Sequence, residues 1–247
     1  MSASRFKLSI YVLQAFALAS CESNPQSPTG HGSSGLSEYG NRPSPRGSRT
    51  VIVDAGHGGK DSGAVSRRNG LTEKNLTLDM ARRVRGELGG FRVVMTRDSD
   101  TFVDLDDRVL LANKYPDAIL VSIHFNESGT SCCGPETYWW RVDSYTLGKR
   151  LERNLSAASS YHNNRNLVRR RLRLTRNPAI PCVLVECGYI SNSSEAKALG
   201  DSAYKNKIAR AIASASREQT AVGDGDLGPL PSFIKSPPSR HGDARGS

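Results

Sequence analysis

Three apolar runs constrain this chain more than anything else in it: Val51-Ile52-Val53, residues 118–123, and Cys182-Val183-Leu184-Val185. None alternates with polar residues, as a strand with one solvated face would. Short uninterrupted runs of this kind belong to strands buried on both faces of a sheet. Each run also ends on a residue that can do chemistry. The first passes through Asp54 into Gly56-His57-Gly58-Gly59, the second ends at His124 with Asn126 just beyond, and the third ends at Glu186 before Gly188. Open α/β sheets place their sites at such strand ends.

Between the runs the spacing becomes helical. Leu76, Met80, Val84 and Leu88 mark one face over residues 74–88,. Asp104 can cap a helix over 105–114 with Val109 and Ala112 inward. Ser144 can cap another to about Ser159, and Ser202 begins a last helix with Tyr204, Ile208 and Ile212 on one side. Further strands are expected at 91–96 and 136–140. Residues 171–175, where Leu and Arg alternate, suit an edge strand. Strands alternating with helices predict an α/β fold, with a twisted, mixed but largely parallel sheet between helices.

The two ends of the 247-residue chain differ from this core. Residues 1–20 open with Arg5 and Lys7, followed by a mostly apolar stretch too short to span a bilayer, and read as a secretory signal. The signal ends in Leu18-Ala19-Ser20-Cys21, a word similar to the processing site of bacterial lipoproteins, so Cys21 is expected to carry lipid. Residues 21–48 are rich in Ser, Gly, Pro and Asn and read as a flexible linker with a typical span of roughly 30 Å. The catalytic domain is expected over 49–218, and 219–247 is expected as a disordered tail.

The net charge of +10 is partly local, with Arg169, Arg170, Arg171, Arg173 and Arg176 clustered. An export signal argues against nucleic acid as the partner. The plain reading is a solvated face; the sharper one is long-range attraction to anionic envelope polymers. Beyond Cys21 there are Cys132, Cys133, Cys182 and Cys187. The last two are an odd number of residues apart on one strand and should face opposite sides as small buried hydrophobes.

Two imidazoles and a carboxylate make an open zinc set, with a position left for water. His57 and His124 with one of the carboxylates Glu73 and Glu186 could supply it, and the further carboxylate could act as general base. A carboxylate closing an apolar run is costly unless it has work to do. His31, His162 and His241 sit in polar or low-complexity settings and are not expected to take part.

These words together resemble the zinc-dependent N-acetylmuramoyl-L-alanine amidases, bacterial hydrolases that cut the peptide stem from the glycan of peptidoglycan. Thr96-Arg97-Asp98, Arg108, Ala112-Asn113, Glu136-Thr137-Tyr138, Asn177-Pro178-Ala179 and residues 185–192 extend the resemblance from about Val51 to about Arg217. The resemblance implies a three-layer α/β/α fold with a six-stranded sheet. It implies zinc held by His57, Glu73 and His124, with Glu186 as the catalytic carboxylate. It also implies peptidoglycan as substrate. The export signal and the lipoprotein-like word point to a periplasmic protein joined to a membrane through lipid on Cys21. The outer membrane is favoured because Glu22 and not an Asp follows, and a monomer is expected. Two other functions stay open on residues alone: a silent peptidoglycan-binding protein, and a zinc peptidase cutting within the stem. Arg97 and Arg108 suit salt bridges that support loops and helix ends. Phe125, beside a ligand, could narrow the cleft or stack on a sugar. Only 61 residues lie between His124 and Glu186, which leaves no room for an extra helix covering the metal.

Overall fold

The computed structural model describes residues 47–240, except 67–68, 130 and 163–164. The expected signal at 1–20, the lipid site Cys21 and all but the last residues of the linker lie outside the described residues, as do His31 and His241. Six strands form one sheet: β1 (Thr50–Ala55), β4 (Arg92–Met95), β5 (Ile119–Asn126), β6 (Glu136–Trp139), β7 (Leu167–Arg169) and β8 (Cys182–Tyr189). Their order is β4-β1-β5-β8-β6-β7. The first four run parallel, β6 is antiparallel to β8, and β7 is parallel to β6. The sheet is therefore mostly parallel, as expected. A two-stranded hairpin, β2 (Val65–Ser66) and β3 (Leu71–Thr72), stands apart from it.

Helices cover both faces, because the central strands present apolar residues on both. Val51, Val53 and Ala55 of β1 join a cluster with Met80 and Val84 of α1 (Glu73–Glu87), Leu147 and Leu151 of α3 (Tyr145–Ala158), and Ile208 and Ile212 of α6 (Ser202–Val222). Ile52, Leu120 and Cys182 point the other way, towards Ala112 of α2 (Leu105–Asn113) and Leu174 of α4 (Arg173–Arg176). Cys187 belongs to the first cluster and Cys182 to the second, so the two thiols do face opposite sides. Asp104 caps α2 by accepting from the Asp106 amide. Ser144 precedes α3 but does not cap it; its hydroxyl accepts from the Cys182 amide at 2.9 Å and so ties α3 to β8.

Three expectations change here. The edge strand lies at Leu167–Arg169 rather than 171–175. Residues 173–176 form a helical turn instead, because the Thr175 hydroxyl accepts from the Leu172 amide and donates to the Arg170 carbonyl. Such a local side-chain bond competes with strand pairing. The arginine cluster is not a solvated face. Arg169 stacks on Trp139 and Trp140 and donates to the Ser232 carbonyl, while Arg176, only 2% exposed, donates to Ser236. Residues 219–240, expected as disordered tail, are in place: α6 runs to Val222, and Ser236 and Ser239 are buried. Between His124 and Glu186 the only helices among the described residues are α3, the single turn α4 and a short 3-10 turn at Val142–Ser144. The remaining helix, α5 (Ser193–Gly200), adds to the expected set.

Candidate active site

His57, Glu73 and His124 converge at the carboxyl ends of β1 and β5, with one donor atom from each lying within 4.8 Å of the others. Each is delivered differently. His57 follows β1 in a turn and holds φ at +58°, a conformation that ordinary side chains seldom adopt,. What holds it there is a pair of buried arginines. Arg108 pairs with Asp54 and donates to the carbonyls of Ala55 at 2.6 Å and His57 at 2.8 Å. Arg97 donates to the carbonyls of Ala55 at 2.9 Å and Gly56 at 2.8 Å. Both arginines thus support the loop, as expected.

Beyond His57 the chain turns at once. Gly58 and Asp61 exchange two backbone hydrogen bonds, which brings the Asp61 carboxylate to 2.9 Å from His57 Nδ1. That contact fixes the tautomer with hydrogen on Nδ1 and aims Nε2 into the cluster, the carboxylate–histidine arrangement common behind metal ligands. His57 Nε2 is 3.0 Å from Glu73 Oε1 but misaligned for a hydrogen bond, so it is buried with no hydrogen-bond partner. An orphaned ring nitrogen of this kind fits a metal ligand.

Glu73 is the first residue of α1, where the helix end favours negative charge,. Its Oε2 accepts from the Ala64 amide at 2.8 Å, and its Oε1 accepts from His124 Nδ1 at 2.9 Å and the Phe125 amide at 3.1 Å. Burial alone would raise its pKa. Contacts with His124 and His57, and their charge, hold it far below the usual carboxylate range. Burial likewise opposes charge on His57, yet Glu73 and Asp61 together raise its pKa. An anionic carboxylate between two imidazoles is a donor set for a divalent cation.

His124 sits near the end of β5, and room for its ring comes from the lack of a side chain at Gly56. A methyl group at Gly56 would stand 2.4 Å from His124 Nε2. Gly56→Ala is therefore expected to displace the ring and weaken metal affinity by about 10–100-fold, the cost typical of losing an outer support for a ligand. Competition against a chromophoric chelator measures it; unchanged affinity would show that His124 is not held as described. Phe125 does not enter the cleft. Alternation along β5 sends its side chain into the core, where it is 1% exposed,.

Glu186 is in register with His124 across the β5–β8 pair and with Glu136 across β8–β6. It is 1% exposed, and its Oε2 has no hydrogen-bond partner. Burial first, then the charges of Glu73 and Glu136, push its pKa well above the ordinary carboxylate value. Proton transfer is most efficient when a base titrates near the working pH. Just past it, β8 bulges: Glu186 and Tyr189 stand opposite His124 and Asn126. Glu195 of α5 pins this bulge, accepting from the amides of Tyr189 at 2.9 Å and Gly134 at 3.0 Å. Bulges next to sites commonly re-aim side chains.

Asp61, Glu136 and Glu195 are the supporting residues whose roles the sequence did not disclose. Glu195 lies three residues after Asn192, which caps α5; that spacing reads as a helix cap, while the carboxylate in fact reaches the bulge. Of the histidines set aside, His162 lies at the surface, its carbonyl accepting from the Cys133 thiol. Cys132, Cys133, Cys182 and Cys187 are all free thiols.

Residues 51–217 match the family model described as N-acetylmuramoyl-L-alanine amidase. The chain is 36% identical over 169 residues to the N-acetylmuramoyl-L-alanine amidase LytC of Bacillus subtilis, covering 66% of this chain and 34% of that one. It is 30% identical over 217 residues to the N-acetylmuramoyl-L-alanine amidase AmiA of Escherichia coli, covering 68% of this chain and 74% of that one. Among solved structures it is similar to the catalytic domain of CwlV, an N-acetylmuramoyl-L-alanine amidase from Bacillus (Paenibacillus) polymyxa var. colistinus. That similarity has a TM-score of 0.66 at 35% identity, over 69% of this chain and 97% of that one. The chain thus spans about a third of LytC but nearly all of the CwlV catalytic domain.

Proposed function

This chain belongs to the N-acetylmuramoyl-L-alanine amidase family, and on that footing we propose that it hydrolyses the amide between N-acetylmuramic acid and L-alanine in peptidoglycan. The observation that carries the proposal is the row formed by the donor cluster and Glu186. A buried carboxylate oxygen without a partner stands across the β5–β8 pair from His124, which gathers with His57 and Glu73 in the donor cluster. Nothing in packing rewards that arrangement, since an unpartnered buried carboxylate costs stability.

Zinc is the ion we assign to His57, Glu73 and His124, because imidazole nitrogen and carboxylate oxygen both suit it and three ligands leave a vacancy. Zinc held there would supply Lewis-acid polarisation of the amide and would make a water more acidic. The chain's own residues do the rest. Asp61 orients His57, the Ala64 and Phe125 amides orient Glu73, and the arginine pair fixes the loop. Glu186 takes the proton of the attacking water and returns it to the departing amine of L-alanine. The proposal keeps the export signal and the lipid on Cys21, supported by the word Leu18-Ala19-Ser20-Cys21, which would hold the enzyme to a membrane facing the periplasm.

Digestion of purified peptidoglycan tests the reaction. The expected products are whole stems with a free L-alanine amine, leaving glycan strands intact. Fragments with new amines inside the stem would make the protein a peptidase. Binding without any release would make it a silent binding protein.

A further inference from the structure

Phe125 is packed into the core and offers no surface to a sugar, so the glycan half of the substrate needs another partner. Four parallel strands stand in the order β4-β1-β5-β8, with their carboxyl ends side by side. Glu186 lies at one end of that row, on β8, and the donor cluster gathers at β1 and β5. The other end of the row is the loop after β4, residues 96–104. It carries Phe102, which is 43% exposed although Lys60 Nζ already lies 4.4 Å from the centroid of its ring.

That loop is stitched to the turn after His57. The Gly59 amide donates to Asp100 at 2.8 Å, and Lys74 Nζ donates both to Asp100 at 2.7 Å and to the Gly59 carbonyl at 3.0 Å. Arg97, one of the pair that grips the His57 turn, also donates to the Ser99 carbonyl at 3.0 Å. The approach is close enough to need a glycine. A methyl group at Gly59, whose φ is +57°, would stand 2.6 Å from the Phe102 amide nitrogen. Lys60 then steadies the ring itself by a cation–π contact,. An apolar ring that is held in place yet left in water is a preorganised surface for a ligand.

The order of the row says which half of the substrate meets it. Glu186 returns a proton to the leaving amine, so the stem departs on the Glu186 side and the acyl half lies on the other, towards β1 and β4. Three bonds separate the amide carbonyl carbon from the muramic acid ring, a reach of about 4 Å. Neighbouring strands are about 4.8 Å apart. The sugar therefore falls about one strand beyond the donors, at the loop after β4. A pyranose presents a face of polarised C–H bonds, which suits the electron-rich face of an aromatic ring. Resting on the amidase reading above, we infer that Phe102 is the platform on which the muramic acid ring of the glycan half packs.

Glycan strands freed of their stems, titrated calorimetrically into the full protein, test the platform without turnover. They should bind the parent, and bind Phe102→Ala about tenfold more weakly, the scale of a lost aromatic contact. Phe102→Trp keeps a flat aromatic face and should bind nearly as the parent does. Phe102→Leu, apolar but without that face, should behave like Phe102→Ala. A second readout comes from two soluble substrates with the same stem, one acylated by N-acetylmuramic acid and the other by the bare lactyl group. The parent's KM should be about tenfold lower for the sugar-bearing one, and Phe102→Ala should abolish that preference. Glycan binding that is absent in the parent, or equal in the parent and Phe102→Ala, would overturn the platform. Equal KM values for the two substrates on the parent would do the same. If stems are released yet Phe102→Ala alters neither readout, the platform falls alone. If glycan binds through Phe102 but no stem is released, the amidase reading falls and the platform survives as a carbohydrate site.

Discussion

Glu186→Gln slows stem release by roughly 10²–10⁴, the range for losing a positioned general base, while the metal centre stays loaded. The substitution keeps the size and hydrogen-bonding shape of the side chain and removes only its ability to take a proton. Glu186 is 1% exposed and contributes no atom to the group of three donors, so the cluster should not register the change. Folding should not suffer either. Burial and the nearby charges of Glu73 and Glu136 already disfavour an anion at this position, and a neutral amide avoids that cost. Rates on purified peptidoglycan, set beside a thermal melt with metal present, check both halves of the expectation. A rate within a few-fold of the parent would remove Glu186 from the reaction.

The second large effect is at the donors. His57→Ala and His124→Ala should each lose bound zinc and with it several kcal/mol of transition-state stabilisation, a factor of about 10³ or more in rate. Chelation of the unaltered protein should do the same, and added zinc should reverse chelation but not the substitutions. The two variants should differ in stability. His124 is 8% exposed and bonded to Glu73, so its loss leaves Glu73 with one contact fewer in the interior. His57 sits in a strained turn whose carbonyls are gripped by Arg97 and Arg108, and its removal leaves that grip in place. Metal analysis after dialysis gives the answer; full occupancy in both variants would sink the assignment of these ligands.

His57, His124 and Glu186 were legible because they follow apolar runs, where a polar side chain costs stability unless it binds or reacts with something. The helix α1 was legible from the i, i+4 spacing of Leu76, Met80 and Val84. What escaped notice depends on contacts between distant parts of the chain. Arg171 to Thr175 alternates Leu and Arg like a strand, but the Thr175 hydroxyl closes a helical turn locally. Residues 223–240 have the composition of a disordered tail, yet Arg169, Arg173 and Arg176 supply donors to the carbonyls of Ser232, Ser239 and Ser236. Composition cannot report such partners. Phe125 looked like a cleft residue because of its neighbour His124; the two-residue period of a strand sends it to the core,. Glu136 stood in a family word without a role, since its meaning lies in Glu186 across the sheet and in Arg165 beside it.

In the proposed reaction three residues hold the metal and a fourth moves the proton. Zinc content per chain, measured on Glu186→Gln and His124→Ala after the same dialysis against a weak chelator, tests that division most directly. One zinc in the first and depleted zinc in the second, with neither releasing stems at the parent's rate, is the predicted result. Zinc lost from Glu186→Gln as readily as from His124→Ala would make Glu186 a ligand and contradict the account.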